Sequence, residues 1–216
     1  MKTKAIIFDL DGVIVDTAKF HFLAWKQLSD GLGLYFDEKI NERLKGVSRM
    51  RSFEIILEVN GANDRFTDEE KTALITKKND LYVSLVKTLT PSDMLPGIAE
   101  FIECARGAGI RTAVASVSKN APLVLECLDA KDKFDYVADA TRVTRSKPAP
   151  DIFLDCARSL GVDPENCIGV EDAQAGIEAI KAAGMYAIGI NVDVTSLEPD
   201  LHLKSTAELD FDAMVF

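Results

Sequence analysis

The sequence predicts an α/β fold: a doubly wound (Rossmann-like) parallel sheet with an inserted helical-bundle cap. Three observations lead there. The run Ala5-Ile6-Ile7-Phe8 has no turn signal and reads as a strand buried on both faces, the kind a parallel sheet uses. From Ile98 onward, helical and strand patterns alternate, as they do in chains of βα units. Between these regions, residues 18–90 carry helical periodicity only. The expected division is therefore a core of 1–17 plus 91–216 and a helical cap of 18–90 placed over the strand ends.

Taken in order, the first strand leads into Asp9-Leu10-Asp11-Gly12, and Gly12 frees the backbone for a tight turn. Phe20, His21, Ala24, Trp25 and Leu28 then fall at helical spacing, with Gly31 and Gly33 as stops. Arg49 to Asn60 carries a second helical face, through Phe53, Ile56 and Leu57. Thr67 with Glu70 reads as a capping box that opens a long helix reaching Lys87. Thr90, Pro91, Pro96 and Gly97 punctuate the return to the core. There Ile98–Ala108, Asn120–Leu128, Asp151–Leu160 and Gly176–Ala183 read as helices. Ile110–Ala115, Tyr136–Ala138, Cys167–Val170 and Tyr186–Ile190 read as strands between and after them.

The bulk properties narrow the functional classes. At 216 residues the chain can bury a sizeable core. A net charge of −10 argues against nucleic acid or anionic membrane surfaces as partners, since both need a basic face. No apolar run approaches the roughly 20 residues of a membrane span. Lys2 and Lys4 precede an apolar stretch that runs into Asp9 and Asp11, which does not suit a signal peptide. Cys104, Cys127, Cys156 and Cys167 are widely spaced, with no zinc-like pairing to His21 or His202, and read as reduced, buried thiols. A soluble, cytoplasmic monomer acting on a small molecule is expected.

The chemistry concentrates at strand ends. In an extended segment, positions i and i+2 share a side, so Asp9 and Asp11 can face one small volume at the carboxyl end of the first strand. Two acids that close repel and lose solvation, a cost that chemistry justifies, although Asp-x-Asp also serves as ordinary turn chemistry. The second strand runs into Ser116-Val117-Ser118-Lys119-Asn120, just before a helix. Free N–H groups and hydroxyls there suit an anion, while Ser118 and Asn120 also suit simple capping. Lys147 stands in the stiff turn Ser146-Lys147-Pro148-Ala149-Pro150, which fixes the direction of a cation otherwise expected to be a solvated charge. Gly169-Val170-Glu171-Asp172 places another acidic pair at a buried strand's exit, where Asp172 could instead cap the next helix.

The string Phe8-Asp9-Leu10-Asp11-Gly12, followed in order by Ser116, Lys147-Pro148 and Glu171-Asp172, resembles the four motifs of the haloacid dehalogenase superfamily. The resemblance implies phosphoryl transfer, with Asp9 as nucleophile and Asp11 as general acid/base. It also implies Mg²⁺ held by Asp9, Glu171, Asp172 and the Asp11 backbone, with Ser116 and Lys147 on the transferring phosphate. The need is electrostatic: at ~4 Å and an effective dielectric near 20, two unit charges repel by about 4 kcal/mol, and a phosphate dianion doubles that. A carboxylate attacking phosphorus needs compensating cations.

Further stretches resemble the β-phosphoglucomutase family within that superfamily. They are Thr17–Trp25 (TAKFHFLAW), Leu44–Arg49 (LKGVSR), Lys78-Asn79-Asp80 with Tyr82, Ser116–Pro122 (SVSKNAP) and Ser146–Phe153 (SKPAPDIF). The resemblance implies interconversion of β-D-glucose 1-phosphate and glucose 6-phosphate, with β-glucose 1,6-bisphosphate as intermediate and activator. It implies substrate contacts from Thr17, His21, Trp25, Lys45, Gly46, Val47, Ser48, Arg49, Ser52, Lys78 and Asn79 in the cap. Val117, Ser118, Lys119 and Asn120 would add contacts from the core. Arg49 would grip the distal phosphate with two donors, and His21 would help to position the general acid/base. Ala173 departs from the pattern, standing where related mutases often carry Ser. Two other readings stay open: a sugar-phosphate phosphatase with water as acceptor, and a non-catalytic phosphosugar-binding protein. The second would be marked by loss of Asp9, Asp11, Lys147 or Asp172, all of which are present.

Overall fold

The structure is a computed structural model that describes residues 2–44 and 47–214. The chain divides into two compact units, Met1–Asp16 with Leu89–Phe216, and Thr17–Thr88. The helical unit thus begins one residue earlier, and ends two earlier, than periodicity suggested.

The first unit is built on a six-stranded parallel sheet. Its strands are β1 (Ala5–Phe8), β2 (Arg111–Val114), β3 (Tyr136–Val137), β4 (Cys167–Glu171), β5 (Tyr186–Ile190) and β6 (Leu201–Leu203). Their order is β3-β2-β1-β4-β5-β6, and every pairing is parallel. The order reverses at β1, so the crevice at its carboxyl end is the switch point where such sheets bind ligands. All four β1 residues are fully buried because helices cover both faces. Ile7 packs in one cluster with Ile152 and Phe153 of α7 (Asp151–Leu160) and with Ile177 and Ile180 of α8 (Gln174–Ala182). On the opposite face, the Phe8 ring meets Phe101 of α5 (Ile98–Gly107) edge-on at 6.1 Å and Phe134 at 6.0 Å. Alternation of side chains along the strand produces both layers.

The second unit holds α1 (Ala18–Leu32), α2 (Glu38–Glu42), α3 (Arg49–Val59) and α4 (Asp68–Val86) around its own core, in which Trp25 stacks on Phe53 at 6.1 Å. Only Gly33, with φ of 67°, ends α1; Gly31 lies inside the helix because its backbone continues the turn. The expected capping box is present, with Thr67 Oγ1 accepting from the Glu70 N–H and the Glu70 carboxylate accepting from the Thr67 N–H. The short α2, capped by Asp37, has too few residues to show a period and was not foreseen.

Other departures have local causes. α6 (Ala121–Cys127) begins one residue later than the pattern placed it. α8 begins two residues earlier, which puts Gly176 inside the helix. β6 and a terminal turn of helix, α9 (Phe211–Met214), are too short to show a period. All four cysteines are free, but the expectation of four buried thiols fails: Cys104 is exposed on α5 and Cys127 is partly buried at the end of α6.

Candidate active site

Parallel pairing assembles the site. Register aligns Phe8 with Val114 on one side and Val170 on the other. The ladder then continues one step: the Asp9 N–H donates to the Val170 carbonyl at 2.9 Å, and the Ala115 N–H donates to the Phe8 carbonyl at 2.7 Å. Asp9, Ser116 and Glu171 are in this way carried to the same edge from three adjacent strands. The chain turns after Asp11 through Gly12, whose N–H donates to the Val15 carbonyl at 2.9 Å.

Lys147 is the centre of the charge arrangement. Its side chain is 3% exposed, and its ammonium donates to Asp9 Oδ1 at 2.5 Å and to Glu171 Oε2 at 2.6 Å. The Phe153 ring lies under the ammonium, 5.1 Å from Nζ to centroid. The Lys147–Pro148 peptide bond is cis. The other Glu171 oxygen accepts the N–H groups of Asp172 and Ala173, at 3.1 and 3.2 Å. Glu171 is thereby oriented through both oxygens rather than left loose.

Three carboxylates, from Asp9, Glu171 and Asp172, offer oxygens that all lie within 4.8 Å of one another. One ammonium does not neutralise them. Burial pushes the Asp9 carboxyl up to about 7, Glu171 adds to that, and Lys147 opposes it. Burial and the Asp172 charge likewise raise Glu171 against the pull of Lys147. Burial disfavours a charged Lys147, but the two carboxylates outweigh it and hold the ammonium protonated. A cluster of hard oxygen donors with surplus negative charge fits Mg²⁺, which takes a few carboxylates and completes its shell with water or phosphate. The Asp11 carboxylate is not part of this group.

Two glycines make room for the acids. A Cβ on Gly12, whose φ is 82°, would fall 2.1 Å from Asp172 Oδ2, and one on Gly176 would fall 2.0 Å from the Glu171 carboxylate. Asp172 does not cap α8; Ala173 is the capping position, without a side-chain bond. Phe153 and Gly176 were missed by sequence reading. Phe153 looks like any apolar position of a helix, and Gly176 announced itself only as a glycine within a helical run.

Ser116 is 2% exposed, and its Oγ accepts the Ser118 N–H at 3.2 Å. Ser118 Oγ accepts the Asn120 N–H at 3.3 Å, so this loop is braced by its own hydroxyls. Val117 packs on the core cluster, and Lys119 is exposed.

In the helical unit, Lys78 is 3% exposed and its Nζ lies 2.8 Å from His21 Nδ1. The same ammonium sits over the rings of Trp25 and Tyr82, at 4.8 and 5.0 Å. His21 stacks on Tyr82 with centroids 4.0 Å apart. Burial first, then the charges of Lys78 and Arg49, hold the His21 imidazole well below its usual range and so neutral. Burial lowers Arg49 somewhat, while Tyr82 and Asp80 counter it. Trp25 and Ser52 belong to the buried interior of this unit. Ser48 uses its hydroxyl to cap α3, and Val47 packs on the helical core. Asn79 is partly buried beside Lys78 on α4, and Thr17 is fully buried where its carbonyl opens α1. Lys45 and Gly46 lie outside the described residues.

A family model for haloacid dehalogenase-like hydrolases matches residues 3–184, a span that holds all four acidic and basic groups of the cluster. The chain belongs to that family. Among its relatives, a β-phosphoglucomutase of Bacillus subtilis is 45% identical over 98% of this chain and 93% of its own. A fructose-1-phosphate phosphatase of Escherichia coli is 34% identical over 87% of this chain and 96% of its own. The crystal structure of a β-phosphoglucomutase from Clostridium difficile superposes with a TM-score of 0.93 at 44% identity, covering 98% of this chain and 95% of that one. This haloacid dehalogenase-like chain therefore shares its architecture, helical unit included, with that mutase.

Proposed function

We propose that this chain is a phosphoglucomutase that interconverts β-D-glucose 1-phosphate and glucose 6-phosphate. The observation that carries the reading is the near-full-length likeness to the B. subtilis mutase, joined to an intact Asp9–Lys147–Glu171–Asp172 cluster. In this reading the cycle runs on enzyme phosphorylated at Asp9. The C6 hydroxyl of β-glucose 1-phosphate attacks that phosphorus, Asp11 takes the hydroxyl proton, and the bond from phosphorus to Asp9 breaks, giving the bisphosphate. The bisphosphate turns around and an Asp9 oxygen attacks the C1 phosphorus. The bond from phosphorus to the C1 oxygen breaks, Asp11 protonates that oxygen, and glucose 6-phosphate leaves a renewed aspartyl phosphate. β-Glucose 1,6-bisphosphate is the intermediate of the cycle and activates an enzyme that starts unphosphorylated.

Lys147 and the Ser116 hydroxyl stabilise charge on the phosphoryl oxygens. Asp9, Glu171, Asp172 and the Asp11 backbone would hold Mg²⁺, Glu171 also bracing Lys147; the ion would supply charge neutralisation at the phosphate. The helical unit supplies sugar specificity, through Arg49 on the distal phosphate and through Lys78, Asn79 and His21.

The test is a coupled assay on the purified protein with Mg²⁺ and catalytic bisphosphate. Glucose 6-phosphate should form from β-glucose 1-phosphate with little free phosphate, and Asp9→Asn should abolish it. Arg49→Ala should depress this turnover far more than hydrolysis of a small aryl phosphate, which has no second phosphate. Stoichiometric phosphate release without isomerisation would instead assign a sugar-phosphate phosphatase, the activity of the 34% identical relative.

A further inference from the structure

Gly176 lies inside α8 with an ordinary helical backbone, where nothing in the local conformation asks for glycine. Glycine is the poorest helix former after proline, so the reason for it must be space. A Cβ there would fall 2.0 Å from both Cδ and Oε2 of Glu171 and 2.2 Å from its Cγ. Glu171 cannot simply swing aside, because its side chain is 2% exposed and tied by Lys147 and two backbone N–H groups.

Comparison with other glycines isolates the case. Gly169 and Gly189 give way to apolar neighbours, Ile180 and Pro199. Gly12 faces a carboxylate, but its φ of 82° already requires glycine. Gly176 alone among these combines an undemanding backbone with an active-site carboxylate pressed against it.

We infer that Gly176 is a positioning residue. The bare helix flank at this position is the seat on which the Glu171 carboxylate rests, and that seat holds Lys147 between Glu171 and Asp9. A methyl group there pushes Glu171 off the flank, and Lys147 loses one of the two anchors that aim it. The inference rests on the phosphoryl-transfer reading of the cluster, whichever phosphate ester is turned over.

The experiment is a double-mutant cycle of Gly176→Ala with Glu171→Ala, read by thermal melting and by kcat and KM on an ester that the unmodified protein turns over. Gly176→Ala alone should lower Tm and reduce kcat by on the order of a hundredfold, with KM changed less than about threefold. In the Glu171→Ala background the same substitution should leave Tm unchanged or raise it, since the overlap is gone and alanine favours the helix. A kcat within about twofold of the unmodified protein would overturn the inference. So would an equal Tm loss in both backgrounds, which would place the clash elsewhere. Should Gly176→Ala alone fail to fold, a folded double variant still supports the seat, and an unfolded one refutes it. The melting arms need no substrate, so they stand apart from any failure of the proposed activity.

Discussion

Lys147 illustrates how one buried side chain depends on its partners. Its side chain is 3% exposed, with the ammonium between Asp9 and Glu171 and over the Phe153 ring, so removing it leaves two largely buried carboxylates facing each other. Breaking a buried pair by deleting one partner costs about 3–5 kcal/mol. Lys147→Met should show a loss of that size in urea denaturation at neutral pH without added metal, together with loss of turnover. The loss should shrink near pH 5, where Asp9, raised to about 7 even with Lys147 present, takes up a proton and the repulsion fades. A pH-independent loss would mean that packing of the lysine stem, not charge, is what the variant removes. His21 shows the opposite outcome of burial: stacked on Tyr82, beside the Lys78 ammonium and in the field of Arg49, it stays neutral, a form in which Nδ1 accepts from Lys78.

At the scale of elements, helix ends decide where the units begin. α4 opens with a reciprocal cap between Thr67 and Glu70 and with three acids, Asp68, Glu69 and Glu70, at the positive end of its dipole. Thr67 is exposed on the helical unit. Thr67→Ala should therefore destabilise that unit by about 1 kcal/mol. Hydrogen exchange should report it as faster exchange of the first-turn amides of α4, with kcat unaltered. Protection equal to that of the unmodified chain would show that packing alone holds the turn. On the core side, β1 makes the corresponding commitment: four buried apolar residues deliver Asp9 to the sheet edge, and two parallel partners deliver Ser116 and Glu171 beside it.

For the molecule as a whole, surplus negative charge at the sheet edge links stability to pH and to metal. Asp9 holds its proton up to about 7 in the fold, well above an ordinary carboxyl group. Between about pH 4 and 7 the folded state thus binds more protons than the unfolded chain, and stability must fall as pH rises through that window. Above it the loss is complete and the curve flattens. Divalent cation binding favours the ionised acids, so the rise in Tm on adding Mg²⁺ should be larger at pH 8 than at pH 5. Melting curves with Mg²⁺ and with a chelator at both pH values check this, and equal increments would contradict the assignment of Asp9 to the metal cluster. By itself the sequence determined the buried first strand, the alternation that follows it, the helical insertion, and the order of Asp9, Ser116, Lys147 and Glu171-Asp172, because periodicity and short motifs are local properties. Only the tertiary structure decided that Lys147 bridges two acids, that Phe153 lies beneath it, that Glu171 rests on Gly176 and that β6 closes one edge. These contacts join residues far apart in the chain, and spacing along a sequence does not encode which distant side chains will share a volume.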